Sequence, residues 1–205
     1  MTDNAVLMGA DVAGAPATAP QRPAIQVVPR AALPLIGVII AGLLATIAGN
    51  WLWALVFFHV VGGGLWTGID LFVGFVVGPI LGRLSMPARA EFSSKFLPMM
   101  VVIMPALVLM TLASGFQLAL GLGNLDPGSL NRGWLVASFI VVGVMATVAL
   151  GVLEPANIAV LFEMNKPRPD GQVISRLMRR FVYSAGITGA MQVATLVIMT
   201  RVATQ

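Results

Sequence analysis

The chain has 205 residues, of which 58% are hydrophobic and 10% are charged, with a formal net charge of +4 and a mean hydropathy of +0.94. Soluble domains carry about 25% charged residues, so this composition excludes an ordinary soluble domain and predicts an integral membrane protein built as one bundle. The chain contains no cysteine and one histidine, which excludes disulfides, thiolate metal sites, iron–sulfur clusters and a haem held by two histidines of one subunit.

Residues 1–30 are rich in Ala, Pro and Gly, and they contain no apolar run long enough to cross a membrane. The one short apolar run, at residues 5–10, follows Asp3 and lacks the basic start and the length of a secretory signal. We predict a flexible cytoplasmic tail over residues 1–30 and a transmembrane helical bundle over residues 31–205.

Five apolar runs follow the tail, and they predict an all-α fold with five transmembrane helices. The runs cover residues 32–49, 51–81, 96–122, 133–162 and 181–199. A helix rises about 1.5 Å per residue, so the second run is longer than the roughly 30 Å apolar core of a bilayer and should tilt, kink or protrude. Pro79, near its end, predicts a kink or a helix terminus.

Basic residues predict the orientation, because cytoplasmic loops carry an excess of Lys and Arg. With the amino terminus inside, ten of the twelve basic residues lie on the inner side, in the tail and in the loops 82–95 and 163–180. Only Arg132 and Arg201 lie on the outer side. The sequence therefore predicts a cytoplasmic amino terminus.

The second run contains the only histidine, three consecutive glycines, a tryptophan and an aspartate within an apolar segment. Successive helical residues turn by about 100°, so one stripe of this helix carries His59, Gly62, Gly63, Trp66 and Asp70. Polar and ionisable groups inside a bilayer normally face a protein interior or a cavity. The stripe is therefore predicted to face the centre of the bundle.

Depth along the helices predicts further polar neighbours for the histidine. Counted from the outer ends of their helices, four polar side chains reach a depth similar to that of His59. They are Ser114, Gln117, Gln192 and Thr195. We expect these side chains to form a polar cluster with His59 in the outer half of the membrane.

Two carboxyl groups lie deeper, toward the predicted cytoplasmic side. Asp70 and Glu154 reach a similar level in the second and fourth runs. If the two are close, one should be protonated, because two like charges in a low dielectric disfavour double ionisation. Alternatively, an arginine of the 176–180 cluster pairs with one of them. The sequence leaves open whether the two carboxyls form a structural pair or a proton path.

Each of these features also has a structural explanation. His59 can donate a hydrogen bond to a backbone carbonyl, and the glycines 62–64 can serve close helix packing as well as give room to a flat cofactor. Methionine thioethers bind soft metals such as copper, but methionine more often fills apolar space. The third run holds four of the twelve methionines, at Met99, Met100, Met104 and Met110.

His59 is followed after six residues by Trp66 and then by Gly68, on a helix that begins with Trp51-Leu52. This pattern resembles that of small bacterial membrane proteins that include the copper-resistance D-like proteins, the J-type protoporphyrinogen oxidases and uncharacterised relatives. Later positions match the same pattern, at Pro79, Arg83, Ser114-Gly115 and Trp134. The resemblance covers about residues 50–200.

The resemblance implies a four-helix bundle, to which the first run adds an amino-terminal helix, in the bacterial inner membrane. In the oxidase relatives, the histidine that matches His59 is associated with b-type haem, so His59 is implied as an axial ligand. Those relatives carry a lysine in the helix that opens with the match of Trp134, where this chain reads Ala137-Ser138-Phe139. That difference argues against protoporphyrinogen oxidase activity, and the single histidine argues against copper transport.

The leading hypothesis is a membrane protein that binds b-type haem or takes part in membrane redox chemistry, with His59, Gly62, Gly63 and Trp66 around the cofactor. The second axial ligand would be a methionine, a residue of a partner chain, or absent. One alternative is a non-catalytic subunit or anchor of a larger membrane complex, or a homo-oligomer, and another is copper handling with His59 as a metal ligand. The sequence contains no nucleophile–base pair, phosphate loop or dinucleotide fingerprint, which favours a chain without catalytic activity of its own. The expected partners are lipid and membrane subunits rather than nucleic acid.

Overall fold

The computed structural model describes residues 27–204, so most of the predicted tail lies outside the described residues. The described part is helical, without β-strands. After a 3₁₀ turn, Arg30–Ala32, the helices are α1 (Leu33–Gly49), α2 (Leu52–Phe72), α3 (Gly78–Arg83), α4 (Met86–Gly121), α5 (Arg132–Val148), α6 (Glu154–Met164) and α7 (Gly171–Thr204). Two π-helical segments join α2 to α3 and α5 to α6, and they are Val73–Val77 and Ala149–Leu153.

Five helical segments of the described residues are long and apolar enough to cross a membrane. They are Arg30–Gly49, Leu52–Arg83, Met86–Gly121, Arg132–Met164 and Gly171–Thr204. The number of predicted spans is therefore confirmed, and the segments indicate a multi-pass membrane protein. We name the end of the bundle with the connections 84–85 and 165–170 the inner end, and the end with the connections 50–51 and 122–131 the outer end.

The outward faces of the helices carry large apolar side chains. Leu35 and Val38 of α1 are 64% and 70% exposed, and Trp53 of α2 is 75% exposed. In water such surfaces would cost free energy in proportion to their area. They are compatible with contact to the acyl chains of a lipid bilayer.

Two helices begin almost three turns earlier than predicted. The third span was expected from residue 96 and the fifth from residue 181, whereas α4 begins at Met86 and α7 at Gly171. At 1.5 Å per residue, α4 is about 54 Å long and extends beyond the apolar core. Hydropathy marks where a helix leaves the bilayer, not where it ends. Ser85 precedes the helix, and proline is tolerated in its first turn.

Both π-helical segments precede a proline. Pro79 and Pro155 have no N–H group, so the carbonyl oxygens of Phe75 and Gly151, four residues earlier, lack their usual helical donor. Both carbonyls lie within the π-helical segments. The kink or terminus predicted at Pro79 is thus a local change of helix type, and the helix continues to Arg83.

The second to fifth spans form the bundle, and α1 lies at its edge. Within the bundle, α2 packs on α4 and α7, and α6 packs on α4 and α7. The helix α5 also packs on α7. The main interhelical contacts of α1 are with α2 and α4. Only Leu43 and Thr46 of α1 are buried. This arrangement agrees with a four-helix bundle plus one amino-terminal helix.

Gly74 and Gly186 allow the second span and α7 to approach closely. A Cβ atom built at Gly74 would lie only 2.6 Å from the Cα atom of Gly186. Small residues at such crossings let helix backbones come together inside a membrane. This contact lies one turn from Asp70 and helps to set which face of α7 meets it.

Candidate functional site

A cavity of about 280 Å³ lies between the second and third spans on one side and the fourth and fifth spans on the other. Its lining is mostly apolar and includes residues of α2, α4, α5 and α7. The lining side chains with polar or sulfur atoms include His59, Trp66, Ser138, Met145, Gln192 and Met199. Most of these positions lie in the outer half of their helices, so the cavity is nearer the outer end of the bundle.

His59 is half-buried in the cavity wall and is held by a backbone hydrogen bond. Its Nδ1 atom lies 2.9 Å from the carbonyl oxygen of Thr111 on α4. A carbonyl oxygen can only accept, so Nδ1 carries the hydrogen and Nε2 keeps a free lone pair. Within the described residues, Nε2 has no hydrogen-bond partner. This tautomer and this orientation are those of a histidine that binds a metal through Nε2.

Gly115 gives the imidazole ring its place against α4. A Cβ atom at this position would lie 2.5 Å from Cε1 and 2.6 Å from Nδ1 of His59. A side chain of any size would therefore push the ring away from the Thr111 carbonyl. The sequence analysis noted Gly115 only as part of a resemblance, because nothing in the local sequence says that a histidine of another helix packs on it.

The three glycines that follow His59 have different surroundings. A Cβ atom at Gly62 would lie 2.7 Å from Oγ1 of Thr111 and 2.9 Å from Cε of Met110, so Gly62 permits close packing of α2 on α4. Gly63 and Gly64 line the cavity. A Cβ atom at Gly64 would meet nothing within 4 Å. The open space of the cavity thus lies beside Gly63 and Gly64, and Gly62 lies at the close contact between α2 and α4.

Asp70 is buried, with 2% of its surface exposed, and it bonds to α7. Its Oδ2 atom accepts hydrogen bonds from Oγ1 of Thr188 at 3.1 Å and from Nε2 of Gln192 at 3.0 Å. Among the described residues no lysine, arginine or histidine forms an ion pair with it. Asp70 is therefore a carboxyl group held by two neutral donors in the interior of the bundle.

Two buried polar atoms of the cavity wall make no hydrogen bond of regular geometry within residues 27–204. They are Nε1 of Trp66, which can only donate, and Oε1 of Gln192, which can only accept. Both side chains are 2% exposed, and both line the cavity. The indole N–H of Trp66 lies beside the Asp70 carboxyl of its own helix. An unpaired buried polar atom costs about 1–3 kcal/mol, so a ligand or water that donates to Oε1 of Gln192 would be stabilised in the cavity.

The polar cluster expected around His59 forms only in part. Gln192 and Thr195 line the same cavity as His59. Ser114 instead donates to the carbonyl of Met110 in its own helix, and Gln117 donates to Asn50 at the outer end. Ser114 and Gln117 lie at a suitable depth, but the rotation of α4 turns them away from the cavity.

The sequence predicted one protonated carboxyl if Asp70 and Glu154 are close; the side chains that contact them are different, namely Thr188, Gln192 and Trp66 at Asp70 and Asn157 at Glu154. The hydrogen-bond partners of Asp70 are both on α7, and the ion pairs of the described chain involve neither Asp70 nor Glu154. The arginines of the 176–180 cluster therefore do not reach these carboxyls. One turn after Glu154, the side chain of Asn157 is fully buried beside that carboxyl, and neither of its amide atoms makes a hydrogen bond of regular geometry among residues 27–204.

The methionines of α4 lie away from the cavity, whereas two others line it. Met100, Met104 and Met110 belong to an apolar core cluster, and Met99 is 40% exposed. The cavity lining contains Met145 of α5 and Met199 of α7, which the sequence did not single out. No group of three or more His, Cys, Asp or Glu side chains suited to a metal ion occurs in the described part of the chain.

Comparisons of this chain with protein-family models, with curated proteins and with solved structures gave no match.

Proposed function

We propose that the chain is a multi-pass protein of the bacterial inner membrane, with its amino terminus in the cytoplasm, that binds b-type haem and takes part in membrane redox chemistry. Five apolar helices support the membrane location, because a helix satisfies its own backbone polar groups within lipid. The excess of basic residues at the inner end supports the orientation. The cavity, with His59 in its wall, is the evidence that favours a bound cofactor.

The observation that carries the haem proposal is the hydrogen bond from Nδ1 of His59 to the carbonyl oxygen of Thr111. It fixes the ring orientation and leaves the Nε2 lone pair free beside a mostly apolar cavity. Histidines that ligate metals generally donate their other ring N–H to a carbonyl or carboxylate. His59 is therefore the proposed axial ligand, and Thr111 and Gly115 hold it in place.

The other side of the cavity offers groups that complete a haem site. Met145 and Met199 present thioethers, which serve as second axial ligands in some haem proteins. Haem also carries two carboxylates, which need donors or cations. Arg132, three residues before Leu135 of the lining, and Arg201, two residues after Met199, are both exposed at the outer end. They are the proposed partners of the carboxylates.

The volume of the cavity determines how a haem can be held. Ligand pockets measure roughly 300–1,000 Å³, and this cavity, at about 280 Å³, is slightly smaller than that range. Phe116 and Phe139 line it, are 53% and 38% exposed, and have ring centroids 6.2 Å apart. The donor set fits haem, and rotation of these two rings toward lipid would supply the remaining room.

When bound, haem would supply one-electron redox chemistry. The chain itself supplies the orientation of His59 and a mostly apolar wall that limits the access of water. Both features influence the redox potential of a bound haem.

The test is the visible spectrum of the full chain purified in mild detergent, oxidised and then reduced with dithionite. We expect a reducible b-type band that His59→Ala abolishes or weakens. If a methionine is the second ligand, either Met145→Leu or Met199→Leu shifts the band. Met99→Leu, a change at an exposed methionine outside the cavity, is the matched control and should leave the spectrum unchanged.

A band that is the same in the wild type and in His59→Ala would remove His59 as a ligand. A colourless protein that co-purifies with other membrane proteins would overturn the haem proposal and favour a non-catalytic subunit or anchor. Copper in stoichiometric amount, lost in His59→Ala, would favour copper handling instead.

A further inference from the structure

The haem proposal gives no role to Asp70, although an ionisable group inside a membrane is costly and commonly functional. Asp70 lies one helical turn further inward than Trp66, a residue of the cavity wall. Its oxygen Oδ2 contacts Gln192, which also belongs to that wall. The carboxyl group is therefore separated from the cavity by a single layer of side chains.

The surroundings of Asp70 provide no cation to balance a carboxylate. Its hydrogen-bond partners Thr188 and Gln192 and the adjacent indole of Trp66 are neutral. None of the titratable side chains on the spans around it forms an ion pair or hydrogen bond with it in the described structure. The titratable side chains on those spans are His59 and Arg83 on its own span, Arg89, Glu91 and Lys95 on α4, Arg132, Glu154 and Glu163 on α5 and α6, and Arg176, Arg179, Arg180, Tyr183 and Arg201 on α7. An isolated buried carboxyl is neutralised most simply by taking up a proton.

The geometry at Thr188 accommodates that proton. Its hydroxyl oxygen lies 3.1 Å from Oδ2 of Asp70 and 3.0 Å from the carbonyl oxygens of both Ser184 and Ala185. A hydroxyl group has one hydrogen to donate and lone pairs to accept. The hydroxyl donates to Oδ2 when Asp70 is a carboxylate; when Asp70 is protonated, the hydroxyl can instead donate to one of these carbonyls and accept from the carboxyl.

Gln192 connects the carboxyl to the cavity. Its Nε2 atom donates to Asp70 at 3.0 Å, and its Oε1 atom is buried without a partner in the described chain. A water or ligand group in the cavity that donates to Oε1 would change the position of the amide. The contact of the same amide with Asp70 would change with it.

We propose that Asp70 is a proton-binding site inside the membrane that exchanges its proton with the cavity, and that Gln192 couples the occupant of the cavity to this proton. The proton passes from a hydronium ion of the water that enters the cavity to Oδ2 of Asp70, so one O–H bond of hydronium breaks, one O–H bond forms on the carboxyl, and neutral water remains. It returns to water by the same route, and no electron is transferred. The inference goes beyond haem binding and does not depend on it.

The test is infrared spectroscopy of the full chain in lipid nanodiscs, measured at the C=O stretching band of protonated carboxyl groups. We expect a band component that shifts in D₂O and is lost in Asp70→Asn. Asp126→Asn, at an exposed aspartate of the outer connection, is the control and should keep that component. Glu154→Gln identifies any contribution from the other carboxyl of the bundle.

The route of exchange is tested by a pair of glycine variants on α2. A Cβ atom meets nothing within 4 Å at Gly64 or at Gly68, but only Gly64 lines the cavity. Gly64→Leu should slow hydrogen–deuterium exchange of the Asp70 band by about tenfold or more, which corresponds to a barrier about 1.4 kcal/mol higher. Gly68→Leu should leave the exchange rate unchanged.

A folded Asp70→Asn protein with the full wild-type band would overturn the proton site. Equal exchange rates in Gly64→Leu and Gly68→Leu would overturn the route through the cavity. If Asp70→Asn does not fold, Thr188→Val replaces it, because removal of the hydroxyl should shift the band and an unshifted band would count against the assignment. The visible spectrum reports on haem separately, so failure of either proposal is distinguishable from failure of the other.

Discussion

Replacement of Gly115 by alanine is the most direct perturbation of the candidate site. The new methyl group would lie 2.5 Å from Cε1 and 2.6 Å from Nδ1 of His59, much closer than the about 3.5–4.0 Å at which carbon atoms pack. The backbone of α4 cannot retreat without disturbing its packing on α2. The imidazole ring must therefore move, and its hydrogen bond to Thr111, now 2.9 Å long, should break.

The cost follows from three contributions. Overpacking of a methyl group costs about 1–3 kcal/mol, and loss of a hydrogen bond costs about 0.5–1.5 kcal/mol. Alanine favours a helix over glycine by about 1 kcal/mol. Gly115→Ala should therefore destabilise the protein by about 0.5–3.5 kcal/mol. Gly68→Ala, at an open position in the interior of α2, carries only the last contribution and should be neutral or slightly stabilising.

The free energies of unfolding of both variants can be compared in mixed micelles with increasing denaturing detergent, together with the visible spectrum. We expect Gly115→Ala to be less stable than Gly68→Ala and to show a weakened or shifted haem band. If the two variants are equally stable and both keep the wild-type spectrum, the packing of His59 on Gly115 is refuted. The assignment of His59 as an oriented ligand would then fail with it.

Three further predictions concern packing and topology. Asn157→Leu should change stability little in the same unfolding assay, because neither of its buried amide atoms makes a hydrogen bond of regular geometry in the described chain; a clear loss of stability would show that the contact of this amide with the Glu154 carboxyl, or with a bound water, stabilises the fold. Gly74→Leu should separate the second span from α7 and cost about 1–3 kcal/mol or more, whereas Gly82→Leu, at an open position, should cost little. Because the chain has no cysteine, a single introduced cysteine is the only site in this protein that a maleimide can label. A membrane-impermeant maleimide should label Ser129→Cys in intact cells, but it should label Arg168→Cys only after permeabilisation. The reverse pattern would refute a cytoplasmic amino terminus.

Hydropathy was sufficient to predict five spans, because transfer of a helix into lipid depends on the sum of its side chains and not on its neighbours. Hydropathy did not locate the ends of α4 and α7. Polar residues such as Arg89 and Lys95 show where a helix leaves the apolar core. They do not end the helix, and Glu91 and Lys95, one turn apart, form an ion pair on it.

Helical periodicity correctly placed Trp66 and Asp70 on the buried face of α2, since polar groups in a membrane segment avoid lipid. Depth alone was a weaker guide on the other helices. Gln192 reaches the cavity, whereas Ser114 and Gln117 at a comparable depth do not. Each residue of a helix turns by about 100°, so equal depth leaves the direction of a side chain undetermined.

The sequence by itself determined the class of protein, the number of its spans and the stripe of α2 that faces inward, because these depend on local composition and periodicity. Only the tertiary structure decided which side chains meet that stripe. Asp70 meets Thr188 and Gln192 rather than Glu154, and His59 meets the Thr111 carbonyl over Gly115. The physical reason is that the rotation of each helix is set by close contacts between residues distant in the chain.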